Sequence, residues 1–200
     1  MRPQARAHPA AGPLRMTSIP LARFPRYAPT LVTLHWLTLL LMIAVYALME
    51  LRGIYPRGSA ERAAMASWHF TLGLTVLAVT TLRLAVRLTT GRPPIVPPPP
   101  AWQEKAALAV EVLLYGLLIG LPILGWLTVS ARDVPASFWG LAVPQLLAPD
   151  KALGGTLKQV HETLATAGYF IIGLHAAAAL FHHHVLRDNT LARMGFGPRT

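Results

Sequence analysis

The sequence contains no cysteine and few acidic residues. It has 8 Asp and Glu against 18 Lys and Arg, and only 13% of its 200 residues are charged. The absence of cysteine excludes disulfides, thiolate metal sites and cysteine-ligated iron–sulfur clusters, so histidine is the soft-metal ligand that remains in quantity. Hydrophobic residues make up 54% of the chain. This composition is too apolar for an ordinary water-soluble domain and indicates a membrane protein.

Four windows without charged residues are long enough to cross a bilayer. They cover residues 31–49, 63–82, 112–131 and 163–186, each close to the roughly 20 residues that a helix needs. Short connections join them, including the stiff linker GRPPIVPPPP at residues 91–100. We therefore predict an all-α integral membrane protein with an up-down four-helix transmembrane bundle at residues 28–188. A disordered basic N-terminal tail at residues 1–27, in which Met16 is an alternative start, and a C-terminal tail at residues 189–200 would flank it.

The basic residues are distributed unequally between the two ends of this bundle. Twelve of the 18 lie in the two tails and the second connection, and six lie in the other two connections. Because basic loops stay on the cytoplasmic side, this asymmetry predicts that both termini are cytoplasmic. A net charge of +10 can also indicate nucleic-acid binding. Membrane topology explains charges confined to loops and tails better, and we expect no nucleic-acid partner.

Four of the histidines in or beside the predicted spans are candidate metal ligands: His35, His69, His161 and His175. Fourteen residues separate His161 from His175, which puts them on nearly the same helix face about 21 Å apart in depth. Depth pairs His35 with His175 toward the cytoplasm and His69 with His161 toward the outside. Two facing imidazoles suit a haem iron better than a bare zinc or copper ion, which needs further ligands. We predict two stacked bis-histidine haem sites; the alternative is that each histidine only hydrogen-bonds a neighbouring helix.

Two arginines are candidates for binding the haem propionates. Arg83 lies fourteen residues after His69, and Arg87 lies one turn further on the same helix face. An anionic propionate is costly to bury without a basic partner, so we expect these two residues to face it. An alternative, compatible with the first, is that both arginines reach the lipid headgroups and set the topology.

Several segments resemble the bacterial cytochrome b561 family, and most closely its superoxide oxidase members. They are LHWL, MELRGIYPR, RPPIVP and, above all, HETLATAGYFIIGLHAAAALFHHHVLRDNTLARM, and together they cover roughly residues 26–194. The resemblance implies four helices in the bacterial inner membrane that hold two b-type haems through the four histidines named above. It also implies an enzyme of respiratory electron transport that oxidises periplasmic superoxide to dioxygen and passes the electrons to ubiquinone.

The resemblance also suggests a residue at the quinone site. His182 follows His175 by seven residues, about two turns, on the same helix face. The family has adjacent histidines at the positions that match His182 and His183. Because a titratable imidazole can exchange protons with a reduced quinone, we expect His182 at the quinone site. The alternative is a histidine cluster that only marks the membrane boundary.

The sequence leaves two other functions open and assigns no catalytic residue firmly. One is a cytochrome b subunit that receives electrons from a soluble dehydrogenase or hydrogenase partner, although the short loops offer little docking surface. The other is a metal-ion transporter whose histidines line a pathway. Basic residues of the outer loops, such as Arg52, Arg57 and Lys158, would steer an anion such as superoxide inward, although acidic residues share those loops.

Overall fold

The computed structural model describes residues 26–195, and this range contains four long helices. They are α1 (Pro29–Leu51), α2 (Ala60–Thr89), α3 (Ala101–Ala131) and α4 (Lys151–His184). A short antiparallel hairpin of β1 (Ser137–Phe138) and β2 (Leu141–Ala142) lies between α3 and α4. All four helices are long and apolar enough to cross a membrane. The predicted all-α membrane bundle is confirmed, and the predicted tail at residues 1–27 lies almost wholly outside the described residues.

Helices α2 and α4 begin before their charge-free windows, each at a polar side chain that caps its first turn. The Ser59 hydroxyl accepts a hydrogen bond from the Arg62 amide at 3.2 Å, which starts α2. The Asp150 carboxylate accepts one from the Leu153 amide at 3.0 Å, which starts α4. Side-chain oxygens at this position satisfy amides that lack a partner within the helix. As a result α4 begins at Lys151, about three turns before the apolar window that indicated it.

The helices pack against one another in chain order. Close backbone contacts join α1 to α2, α2 to α3 and α3 to α4, whereas between the described residues of α4 and those of α1 or α2 they are at most isolated. The buried apolar residues of the described chain are few: Leu31, Leu34, Val76, Leu121 and Ala131. An apolar surface this exposed is suited to lipid rather than water. Helix α4 therefore lies along α3 and faces α1 and α2 from a greater distance.

The up-down order gathers the connections at two ends of the bundle. The start of α1, the linker of residues 91–100 and the end of α4 form what we call the terminal end. Residues 52–59 and the hairpin form the hairpin end. There the Thr71 hydroxyl donates to the Ser137 carbonyl at 3.1 Å, and the Trp139 indole donates to the Thr75 hydroxyl at 3.2 Å. These bonds attach the hairpin to α2.

The terminal end is closed by residues 188–194, which fold back onto residues 93–96 of the linker; we call this unit the terminal clasp. Asn189 accepts from the Val96 amide at 2.9 Å and donates to the Pro94 carbonyl at 3.3 Å. The Arg193 guanidinium donates to the Pro93 carbonyl at 2.5 Å. Asn189 and Arg193 are both buried. The first part of the predicted C-terminal tail is thus packed against the bundle.

Candidate cofactor-binding site

The four histidines of the predicted haem sites meet in two pairs. His35 of α1 faces His175 of α4, and His69 of α2 faces His161 of α4. In each pair the ring centroids are 6.2 Å apart. The first pair lies toward the terminal end and the second toward the hairpin end. These are the pairings expected from depth in the sequence, and α4 supplies one imidazole to each.

The spacing within each pair fits a metal held between two imidazole nitrogens. Two metal–nitrogen bonds of about 2 Å, with the radius of each ring, span about 6 Å between ring centroids. The greater distance of α4 from α1 and α2 is compatible with a flat macrocycle at both levels. A bare ion needs more donors, and residues 26–195 contain no group of three or more His, Cys, Asp or Glu side chains placed to hold one. The residues therefore fit haem.

The orientation of one imidazole is fixed by the main chain. His69 Nδ1 lies 3.1 Å from the Val45 carbonyl oxygen. Because a carbonyl can only accept, Nδ1 carries the proton, and Nε2 is left as the nitrogen available to a metal. The Nδ1 atoms of His35 and His161 are buried without a hydrogen-bond partner in the described structure. The His35 ring is oriented by packing instead, whereas the His161 ring also interacts with the backbone of Leu121 in α3.

Two glycines lie close to side chains of this site. Gly125 lies against an imidazole of the hairpin-end pair, and Gly168 lies against a tyrosine between the two pairs. A Cβ at Gly125 of α3 would be 3.3 Å from Cε1 of His161. Helix α3 therefore packs against this imidazole, although it contributes no histidine. A Cβ at Gly168 of α4 would be 2.6 Å from the Tyr46 hydroxyl. Gly168 is seven residues from both His161 and His175, midway between the two levels. Neither contact follows from the sequence, since the glycine and its neighbour are far apart in the chain.

Arg83 is the basic residue that acts on the pair at the terminal end. It interacts electrostatically with both His35 and His175. Its guanidinium lies over the Tyr115 ring of α3, 5.4 Å from the centroid, in a cation–π arrangement. This contact holds the guanidinium against an aromatic ring rather than against a carboxylate.

Arg87, one turn further along α2, has different surroundings. Its Nε donates to the Glu111 carboxylate at 3.1 Å, and Arg92 pairs with the other oxygen of the same carboxylate. Glu111, which the sequence analysis did not single out, thus offsets part of the charge of Arg87. The two arginines that the sequence treats alike are therefore unequal as partners for an anion.

Arg52 is the corresponding basic residue at the hairpin end. It interacts electrostatically with His69, and its Nε is buried without a hydrogen-bond partner in the described structure. The Arg62 guanidinium donates to the Arg52 carbonyl at 3.3 Å and to the Tyr55 carbonyl at 2.9 Å, which fixes the turn that follows α1. Lys158 is paired with Glu162 at 2.5 Å. Among the basic residues named for this end, Arg52 is the one beside an imidazole pair.

His182 is held by a carboxylate that the sequence analysis missed. Its Nδ1 lies 2.5 Å from Oδ2 of Asp188, and Oδ1 of Asp188 accepts from the Thr190 amide at 2.8 Å. Asp188 is 8% exposed. Burial opposes its ionisation, but the hydrogen bonds from Thr190 and His182 outweigh burial and hold the pKa of the carboxyl below its usual value of 3.8. The only sequence signal is a run of polar residues directly after an apolar helix.

A family model described as prokaryotic cytochrome b561 matches residues 26–197 of the chain. The chain belongs to the prokaryotic cytochrome b561 family. It is therefore a membrane electron-transfer protein of a family that binds b-type haem, and its four apolar helices make it a multi-pass protein of a bacterial membrane. The resemblance noted in the sequence is confirmed.

Individual relatives agree with this assignment. "Cytochrome b561 homolog 1" of Escherichia coli (strain K12) is 42% identical over 169 residues, which cover 84% of this chain and 96% of the relative. "Probable superoxide oxidase CybB" of Yersinia pestis is 39% identical over 169 residues, covering 84% and 95%. "Cytochrome b562" of Cereibacter sphaeroides is 29% identical over 174 residues, covering 85% and 95%. These similarities extend over nearly the whole length of each relative.

Proposed function

We propose that the chain is a superoxide oxidase with two b-type haems, which takes electrons from superoxide at the hairpin end and delivers them to ubiquinone. Residues 28–188 would form the cytochrome domain in the bacterial inner membrane, with the terminal end and both termini in the cytoplasm. The observation that supports this proposal is the presence of two imidazole pairs, each 6.2 Å between centroids, at two levels of one bundle. The similarity to a relative named as a probable superoxide oxidase favours superoxide as the donor.

The histidine pairs would hold one haem each. His35 and His175 would bind at the terminal end, and His69 and His161 at the hairpin end. When bound, each haem carries one electron by alternating between ferric and ferrous iron. With both imidazoles of a pair bound to it, the iron would have no site ready for another ligand, which would suit electron transfer rather than oxygen binding.

The charges of the chain agree with the proposed direction of transfer. Superoxide is an anion, and Arg52 places a positive charge beside His69 at the hairpin end. Arg83 does the same for the other pair and would also serve the propionates there. Two superoxide anions would release two dioxygen molecules and two electrons. One ubiquinone would take those electrons with two protons from the cytoplasm to form ubiquinol.

Haem content tests the four ligands. The purified protein should show a Soret band and a reducible α band, with about two haems per chain. His161→Ala and His35→Ala should each lose about half of the haem, because each site depends on its own two imidazoles. His184→Ala, at the end of α4, is the matched control and should keep both haems. A protein without a Soret band would overturn the haem assignment and favour the metal-ion transporter. Loss of all haem in both ligand variants would overturn the independence of the two sites.

The electron donor is tested by adding superoxide to the purified protein with a soluble ubiquinone analogue. We expect haem reduction and quinol formation faster than the uncatalysed background. Arg52→Gln should lower the second-order rate constant for superoxide several-fold and weaken its dependence on ionic strength. Arg57→Gln, in the same connection, is the control and should change the rate less. Haem reduction no faster than background would contradict the proposal and favour a cytochrome fed by a protein donor.

A further inference from the structure

We infer that Asp188 is a positioning residue that holds His182 so that its Nε2 transfers protons to the quinone oxygens. This inference rests on the proposed reduction of ubiquinone at the terminal end. It concerns a residue whose described hydrogen bonds are with His182 and Thr190.

The contacts of Asp188 leave its carboxylate little freedom. Oδ2 lies 2.5 Å from His182 Nδ1, Oδ1 accepts from the Thr190 amide at 2.8 Å, and the Asp188 amide donates to the His182 carbonyl at 3.2 Å. The carboxylate is therefore fixed both by its own main chain and by the imidazole.

The carboxylate also determines which nitrogen of His182 is free. An ionised carboxylate can only accept, so it keeps a proton on Nδ1 in both the neutral and the protonated imidazole. Nε2 is then the only nitrogen that can gain or lose a proton. A buried carboxylate that fixes the tautomer of a proton-transferring histidine is also the arrangement of the Ser-His-Asp triad.

The terminal clasp makes this pair a rigid part of the bundle. Asn189, the residue after Asp188, hydrogen-bonds Val96 and Pro94 of the linker, so the loop after α4 cannot move without breaking these bonds. Arg193, which is buried in the same clasp, interacts electrostatically with Asp188. The loop therefore presents Asp188 to His182 in one geometry.

The position of His182 suits proton delivery near the site of quinone reduction. It lies about two turns beyond His175 on the same face of α4, toward the terminal end. Its other described neighbours are the ring of Phe181 on the same helix and the Asp188 carboxylate from the clasp. His183 and His184 pack against each other, with ring centroids 4.8 Å apart. His182 thus differs from the two histidines that follow it in having a fixed carboxylate partner.

The proposed transfer balances in protons and electrons. The Nε2–H bond of protonated His182 breaks as an O–H bond forms on a quinone oxygen. This leaves a neutral imidazole that keeps its proton on Nδ1 and still donates it to the Asp188 carboxylate. Nε2 then takes a proton from cytoplasmic water. Two such transfers, with the two electrons from two superoxide anions, convert one quinone to one quinol. Asp188 stays ionised throughout, as the lowered pKa of its carboxyl allows.

The decisive variant is Asp188→Asn, which keeps the shape of the side chain and an oxygen for the Thr190 amide. Its amide nitrogen would face His182 and donate to Nδ1, which moves the imidazole proton to Nε2. In ¹⁵N spectra of histidine-labelled protein, the signals of His182 are assigned as those that disappear in His182→Gln. In Asp188→Asn these signals should change from the Nδ1–H to the Nε2–H tautomer. Quinol formation should fall by about tenfold or more, while haem content and haem reduction by superoxide stay unchanged.

A double-mutant cycle separates positioning from a structural role. Asp188→Asn should add nothing to the loss caused by His182→Gln, because both changes act through the same imidazole. His184→Gln is the control for the loss of a neighbouring imidazole and should keep the normal rate of quinol formation. Unchanged tautomer signals of His182 in Asp188→Asn would overturn the inference. So would a loss of quinol formation caused by Asp188→Asn that is equally large in the presence of His182 and in His182→Gln. If superoxide fails to reduce the haems of the unmodified protein, the proposed function itself fails, and the two failures are therefore distinguishable.

Discussion

Gly168 of α4 lies against the hydroxyl group of Tyr46 of α1. A Cβ at position 168 would be 2.6 Å from the Tyr46 Oη atom but 3.9 Å from Cζ, the ring carbon that carries it. The same hydroxyl donates to the Ala165 carbonyl at 2.8 Å, so a direct hydrogen bond joins α1 to α4 at this level. The contact lies midway between the two imidazole pairs, and it fixes the distance between two helices that carry these imidazoles.

The first prediction concerns this contact. Gly168→Ala should lower the free energy of unfolding by about 1–3 kcal/mol, because the new methyl group displaces the Tyr46 hydroxyl. Tyr46→Phe alone should cost about 0.5–1.5 kcal/mol through the lost hydrogen bond. The double variant should lose less than the sum of the two, since the phenyl ring leaves room for the methyl group. Unfolding in mixed micelles measures this coupling.

Gly173→Ala is the control for that cycle, because a Cβ at Gly173 meets no atom within 4 Å. It should be close to neutral or slightly stabilising, as expected for replacing glycine by alanine within a helix. Strictly additive losses for Gly168→Ala and Tyr46→Phe would show that the hydroxyl is not what limits the space at position 168.

The second prediction concerns the imidazole at the hairpin end. In Gly125→Ala the new Cβ would lie 3.3 Å from His161 Cε1 and 3.6 Å from Nδ1, so the ring must tilt or shift. We expect weaker haem binding at this level, on the order of tenfold, and a changed spectrum for one haem of the two. Gly120→Ala on the same helix, where a Cβ meets nothing within 4 Å, is the control. Equal changes at both haems would contradict this local effect.

The third prediction separates Arg83 from Arg87. A positive charge stabilises the reduced form of a nearby redox group, so Arg83→Gln should lower the midpoint potential of one haem by tens of millivolts. Arg87→Gln should shift it less, because Arg83 interacts electrostatically with His35 and His175, whereas Arg87 lies one turn further along α2. A spectroscopic redox titration of each variant measures both shifts. A larger shift in Arg87→Gln would contradict the distinction that the structure draws between these residues.

The fourth prediction concerns stability in acid. The pKa of the Asp188 carboxyl is below its usual value of 3.8 in the folded protein, so its ionised form favours folding. This contribution is present above the unfolded pKa and is lost as the pH falls through the lowered folded pKa. Melting temperatures should therefore fall more steeply below about pH 4 in the unmodified protein than in Asp188→Asn. Glu104→Gln, which removes an exposed carboxylate at the same end, should leave this dependence unchanged.

The sequence predicts the helices and the histidine pairs well because both depend on local periodicity and on depth in the membrane. A helix of known rise and turn gives each histidine a level and a face, and the up-down order then determines which levels meet. The start of α4 is less predictable because it depends on the cap at Asp150 rather than on apolar residues. The pairing of Arg87 with Glu111 requires knowing which faces of α2 and α3 meet, which their sequences alone do not state.

The terminal clasp could not be predicted for a related reason. Asn189 hydrogen-bonds Val96 and Pro94, which precede it by 93 and 95 positions in the chain. No periodic pattern in the sequence connects a loop after α4 to a proline-rich linker. Polar residues in a terminal segment normally indicate a solvated tail, and here they are buried. The role of Asp188 could not be predicted for the same reason, because it depends on one contact with His182.

The separation of α4 from α1 and α2 should make the stability of the protein depend on the supply of haem. Where the chain is described, α4 is joined to α1 by side-chain bonds, from Tyr46 to Ala165 and from Tyr169 to Glu50, with little close approach of their backbones. Each haem would bridge this separation with iron–nitrogen bonds, so its binding energy would add to that of the fold. Bacteria starved of iron should accordingly degrade this protein faster while its messenger RNA stays constant.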